Sequence, residues 1–175
     1  MAATNTLIYL FRRDLRVSDN PILHHLASVG DHGFAHILPV CVLPAHQMAV
    51  SGLIPDGQPN PYPEARSQLG GFWRCGPHRT KFIAQAVWSL KRSLESLESG
   101  LTIRVGTLAD VTQQLLQGLP ETGRKVGAVW MISEEGVEEK RDEKSVAAVC
   151  EKHGAELKLW VDEKYFIDEC VPPTF

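Results

Sequence analysis

The sequence predicts an α/β domain: one parallel five-stranded sheet with helices on both faces. Three observations predict it. Short apolar runs with abrupt charged ends recur along the chain. Segments with apolar residues at steps of three and four lie between them. Residues that start and stop helices separate the two kinds. The chain has 175 residues, 43% hydrophobic and 22% charged, which suits one domain better than two.

The first run, Leu7-Ile8-Tyr9-Leu10-Phe11, has no alternation and stops at Arg12-Arg13-Asp14. It reads as a strand buried on both faces. Asp19 or Asn20 then caps a helix whose first position is Pro21, where a missing N–H does no harm. Leu23, Leu26 and Ala27 form its apolar stripe, and Gly30 ends it. A second strand covers Ile37 to Leu43, with Pro39 expected at a strand start or an edge because proline donates nothing to a ladder. From Pro44 to Pro77 the chain is rich in Pro and Gly and reads as a surface insert.

Helix periodicity returns at Arg79, with Ile83, Ala86, Val87, Leu90, Leu94 and Leu97 on one stripe and Gly100 closing it. Leu101 to Gly106 alternates as a half-buried strand. Ala109 to Gln117 is a short helix, and Val126 to Ile132 a fourth strand, apolar throughout. The charged stretch Glu134 to Lys144 reads as a solvated helix start, leading to Val146–Cys150 and a stop near Gly154. Leu157 to Val161 is the fifth strand, and the tail from Asp162 to Phe175 has no helix pattern. Strands alternating with helices imply right-handed crossovers onto one sheet. Such sheets bind ligands at the carboxyl ends of the strands. Those ends are Arg12-Arg13-Asp14, residues 42–46, Gly106-Thr107, Ser133-Glu134-Glu135 and Asp162.

Composition narrows the function. Lys plus Arg total 18 against 21 Asp plus Glu, a net charge of −3, which argues against a dedicated nucleic-acid binder. Cys41, Cys75, Cys150 and Cys170 have neither zinc nor disulfide spacing, so reduced thiols in the cytoplasm or nucleus are expected, with a mitochondrial address left open. No run approaches the 18 apolar residues of a membrane span, and the start lacks a signal-peptide pattern. Phosphate loops, nucleophile elbows and zinc-protease motifs are missing, so the residues give no catalytic set and no metal set. His24-His25 reads as surface or packing. Trp73, Trp88, Trp130 and Trp160 read as core or interface aromatics.

One segment is more specific. Phe11-Arg12-Arg13-Asp14-Leu15-Arg16-Val17-Ser18-Asp19-Asn20-Pro21-Ile22-Leu23 closely resembles the opening segment of the photolyase and cryptochrome family. Residues 76–83 and 100–106 are similar to the family's next helix opening and the strand after it. Residues 68–76 and the acidic segment 134–139 resemble the cryptochrome DASH branch, and residues 160–168 its fungal members. The resemblance runs to about Asp168, leaving 169–175 as a tail. It implies a Rossmann-like photolyase N-terminal domain over 1–168, with the insert at about 44–77. Arg12, Arg13 and Asp14, expected to pair with one another, and the helix-starting Asp19 and Asn20 are assigned structural roles.

The family's larger helical part holds FAD, and none of it fits in 175 residues. The resemblance therefore implies no FAD, no catalytic residue and no repair by this chain alone. DASH-type antenna domains bind methenyltetrahydrofolate in a cleft between the two parts, with an acidic residue after the fourth strand on the pterin. By spacing from Trp130 and from Glu138-Glu139, Glu134 matches that residue, with Glu135 one position away. The opposing wall of the cleft comes from the helical part, so weak or no folate binding is expected here. The alternative is an interaction protein acting through the exposed docking face, as a homodimer or with another protein. An unrelated nucleotide-binding α/β enzyme is the third reading, and the missing phosphate loop speaks against it.

Overall fold

A computed structural model describes residues 5–49, 57–59 and 61–162. The five strands are β1 (Asn5–Phe11), β2 (His36–Pro44), β3 (Thr102–Gly106), β4 (Lys125–Ile132) and β5 (Glu156–Trp160). They pair in parallel in the order β3-β2-β1-β4-β5. The helices are α1 (Pro21–Ser28), α2 (Pro77–Glu95), α3 (Leu108–Gly118) and α4 (Val137–His153), with a 3-10 turn at Pro120–Thr122.

The central strand explains the layering. Leu7 to Phe11 of β1 are wholly buried, because the apolar run has a helix layer against each face. Leu7, Tyr9 and Phe11 meet Ile22 of α1 and Val87, Leu90 and Leu94 of α2. Ile8 and Leu10 meet Val111 and Leu116 of α3 and Val146 and Cys150 of α4. Two crossovers therefore pass over each face, and both cores share the one sheet.

The elements differ from the sequence reading in four places. Pro39 lies inside an interior strand, paired with Tyr9. The ladder to β3 begins only one residue later, at Val40–Thr102, so on that side Pro39 stands where the sheet is still an edge. In α1 the wholly buried residue is Ile22, while Ala27 is exposed. In α2 the stripe stops at Leu94: Ser96 is the C-cap, Glu98 turns left-handed at φ 57°, and Leu97 is 62% exposed. The charged stretch before α4 is not simply solvated, because Glu143 is buried.

The insert also departs from a surface loop in its described part. Ala45, Met48 and Ala65 are buried, with Tyr62 and Cys75 packed on Ala45 and Met48. The Tyr62 hydroxyl donates to the Val105 carbonyl at 3.1 Å, and Arg66 and Trp73 form an antiparallel bridge. Residues 50–56 and 60 of the insert, and the tail from 163 with its family-like stretch, lie outside the described residues.

Candidate functional site at the strand-order reversal

From β1 the chain builds one way to β2 and β3, then returns to the other side of β1 for β4 and β5. The loops after β1 and β4 thus diverge over opposite faces, leaving a crevice between them. Arg12, Arg13 and Asp14 enter it from β1; Ser133, Glu134 and Glu135 enter from β4.

The two arginines do not pair with Asp14, as the sequence reading expected; they reach across the crevice. Arg12 Nη1 donates to Glu143 Oε1 at 3.1 Å and to the Ile132 carbonyl at 3.4 Å. This pair is dry, with side chains 7% and 5% exposed. Glu143 also accepts the Glu134 backbone N–H at 2.8 Å and faces Lys140 at 3.4 Å, so the desolvated carboxylate is compensated on several sides. Arg13 pairs with Glu134, Nε to Oε2 at 3.1 Å, and with Glu139. Asp14 turns inward instead. It accepts the Arg12 N–H at 2.9 Å and the Tyr9 hydroxyl. Asn20 donates to the Tyr9 oxygen at 2.6 Å. The same Asn20 accepts the Ile22 and Leu23 N–H groups at 3.1 Å, so it, and not Asp19, is the cap of α1.

The two candidate folate contacts are placed differently. The Glu134 side chain is 13% exposed. Burial raises its pKa above the ordinary 4.5, against the pull of Arg12 and Arg13. Glu135 is 70% exposed and lies 3.8 Å from Lys140. Both line a cleft of about 170 Å³ with Arg13, Asp14, Ile132, Ser133, Val161 and Asp162. A half-buried carboxylate at the wall of such a cleft can accept two N–H donors from a planar heterocycle edge.

On the other side of Arg13 lies a larger cavity of about 440 Å³. Its floor is apolar, with Leu15, Leu43, Met48, Ile83 and Val87, and its rim carries Arg13, Arg74 and Arg79. Arg74 ends the insert and reaches the first turn of α4, donating to Glu138 at 2.6 Å. That bond holds the Glu138 carboxyl below its ordinary range. Gln47 donates to the same carboxylate at 3.2 Å. Glu138 and Glu139 line the same cavity, so its edge is a mixed polar ring over an apolar floor, a combination that suits an aromatic molecule with polar edges.

Comparison with known proteins decides what this architecture is. The family model described as DNA photolyase matches residues 7–167. The chain belongs to that family. A Gibberella zeae protein that carries the name cryptochrome DASH is 52% identical over 169 residues, covering 97% of this chain and 24% of that protein. A Neurospora crassa protein named as a mitochondrial cryptochrome DASH is also 52% identical, over 170 residues, covering 97% of this chain and 23% of that protein. This photolyase-family chain is therefore of the cryptochrome DASH type, and it spans about a quarter of the length of these relatives. It corresponds to their N-terminal α/β domain. Among solved structures, a Synechocystis cryptochrome superposes with a TM-score of 0.71 at 24% identity, covering 92% of this chain and 28% of that one. An archaeal photolyase from Sulfolobus tokodaii, solved with two FAD molecules, gives 0.62 at 19% identity, covering 89% and 29%. These two likenesses show the fold.

Sequence reading placed the crevice and its two entering loops. It missed the partners that fix the arginines, Glu139 and Glu143, and the rim residues Gln47, Arg74 and Arg79. The acids carried a usable signal, four residues apart on one predicted helix and thus on one side of it. Arg74 and Arg79 flank a Gly-Pro helix start, but nothing local says that its neighbour is the end of β2.

Proposed function

We propose that this photolyase-family chain is a light-gathering domain that takes methenyltetrahydrofolate at the crevice between β1 and β4. Glu134 is the acceptor for the pterin N–H edge and Glu135 the neighbouring alternative. The observation that carries the reading is the half-buried Glu134 carboxylate, steadied by Arg13 through one oxygen at 3.1 Å and lining a cleft of about 170 Å³. The fit is partial. The cleft, lined from the ends of β1, β4 and β5, has room for a pterin head and little more, so the described residues bind it weakly. The folate supplies absorption of near-ultraviolet light. The protein's share is orientation: Arg13 holds Glu134 in place, and the bond from the Glu134 N–H to Glu143 fixes the turn.

Titration of the 175-residue chain with methenyltetrahydrofolate, followed by near-ultraviolet absorbance, tests this. The expected result is weak binding that Glu134→Gln reduces further and Glu135→Gln leaves nearly unchanged. Tight saturable binding indifferent to Glu134→Gln would overturn it. Binding lost in Arg79→Ala would move the pigment to the 440 Å³ cavity that Arg79 lines.

A second reading rests on exposed apolar groups. Phe72, Trp73, Phe82 and Trp88 all face solvent, an unusual density for a monomer's surface. On this reading the chain associates with itself or with another protein. Light scattering showing a monomer at high concentration would count against self-association. No helix among the described residues is long and apolar enough to cross a membrane. We place the chain inside the cell, in the cytoplasm, the nucleus or, as the name of its Neurospora relative suggests, the mitochondrion.

A further inference from the structure

The sheet ends on two edge strands, β3 and β5, and the two edges are finished differently. At β3, Tyr62 of the insert donates its hydroxyl to the Val105 carbonyl at 3.1 Å. At β5, no strand among the described residues pairs with the outer side. The Ser133 N–H donates to the Trp160 carbonyl at 2.7 Å. Trp160, and with it Lys158 and Glu156, therefore turns its peptide groups toward β4. The alternating residues, Leu157 and Leu159, turn theirs outward. An open edge of this kind is a template for another strand.

The usual defences of an edge are missing from β5. It contains no proline, and its ladder to β4 runs without a register shift from Ala128–Glu156 to Ile132–Trp160. Its one cation does not guard the edge. The Lys158 ammonium folds back over the sheet's own indoles, 3.9 Å from the centre of the Trp160 ring and 4.9 Å from that of Trp130. Leu159 is 41% exposed, and Glu156 is exposed beside it. Neither Glu156 nor Lys158 has an ion pair among the described residues.

We propose that β5 pairs edge to edge with β5 of a second copy of this chain. The two strands run antiparallel about a two-fold axis at Leu157, joining two sheets into one. Charge selects this register. Leu157 stands opposite its own counterpart and exchanges both backbone bonds with it. Glu156 then stands opposite Lys158 of the second copy, and symmetry repeats the pair. These positions share one face and belong to the closely spaced class of cross-strand pair, where opposite charges stabilise. Centring the axis on Glu156 or on Lys158 would oppose identical charges, and centring it on Leu159 would set Glu156 against Asp162. The edge is separate from the exposed aromatics Phe72, Trp73, Phe82 and Trp88, and the proposal does not rest on the folate reading.

Sedimentation equilibrium of the whole chain, from about 10 μM to about 1 mM, tests the proposal. The expected result is a reversible dimer. Glu156→Lys and Lys158→Glu should each weaken it roughly tenfold or more, because each turns two attractions into two repulsions. Mixed in equal amounts, the two variants should form a dimer again, since every opposed pair across the mixed interface is once more opposite in charge. Circular dichroism should show both variants folded; Glu156→Lys alters an exposed position and leaves Lys158 over its indoles. Hydrogen exchange in the parent gives a second readout. The Leu157 and Leu159 N–H groups should exchange more slowly as concentration rises, while those of Lys158 and Trp160, turned to β4, stay constant. A monomer at about 1 mM would overturn the proposal. So would folded variants that stay monomeric when mixed, or a dimer that both variants retain, which would assign association to another face.

Discussion

Asp14 is a carboxyl group in a place where burial works against its charge. Burial raises its pKa above the ordinary 3.8, and the bonds from Tyr9 and from the Arg12 N–H only partly offset that. Because the folded state then holds the proton more firmly than the unfolded chain, this stability is fully present below 3.8 and is lost as pH rises through the raised value. Asp14→Asn removes the titrating group, so urea denaturation at several pH values should show a flatter decline from about pH 4 upward than the parent. An unchanged profile would contradict the assignment. Tyr9 meets the same network from the other side. Burial and the Asp14 charge push its phenol well above the usual range. Tyr9→Phe leaves Asp14 short of a buried donor and should cost about 1–3 kcal/mol in urea. At this scale legibility follows sequence distance. The cap residue of α1 could be narrowed to Asp19 or Asn20, because a cap acts within three residues. The partners of Arg13 could not, because Glu134 and Glu139 lie more than a hundred residues on, and only the strand order brings them near.

At the scale of elements, type was read more securely than extent. All five strands and all four helices were foreseen because each carries its own periodicity and its own stop signal. The α2 boundary was misjudged because Leu97 continues the three-and-four spacing past the point where the chain turns. Spacing alone cannot see Glu98 adopt a left-handed conformation. The consequence is measurable. Leu90→Ala, at a site 2% exposed, should cost about 2–5 kcal/mol, while Leu97→Ala should stay within about 0.5 kcal/mol of the parent. Equal costs would mean that the stripe runs on to Leu97. The insert shows the opposite error. Its Pro and Gly content concealed Ala45, Met48 and Tyr62, which pack onto the ends of β2 and β3. Three isolated contacts have no period, so no window statistic could have marked them.

For the molecule as a whole, the sheet order sets what the chain can do. Reversal at β1 opens one crevice, and the arginines of the β1 loop stitch it to α4 through Glu134, Glu139 and Glu143. That stitching fixes a binding surface. Among the described residues it brings together no cluster fit to hold a metal ion. On the function proposed above, this photolyase-family chain gathers light without carrying out redox photochemistry. The most direct test is to purify the 175-residue chain, record its flavin absorbance, and illuminate it with ultraviolet-damaged DNA. The expected result is a preparation without bound flavin and with no loss of lesions above the dark control. A yellow, flavin-loaded preparation that repairs the DNA unaided would contradict it.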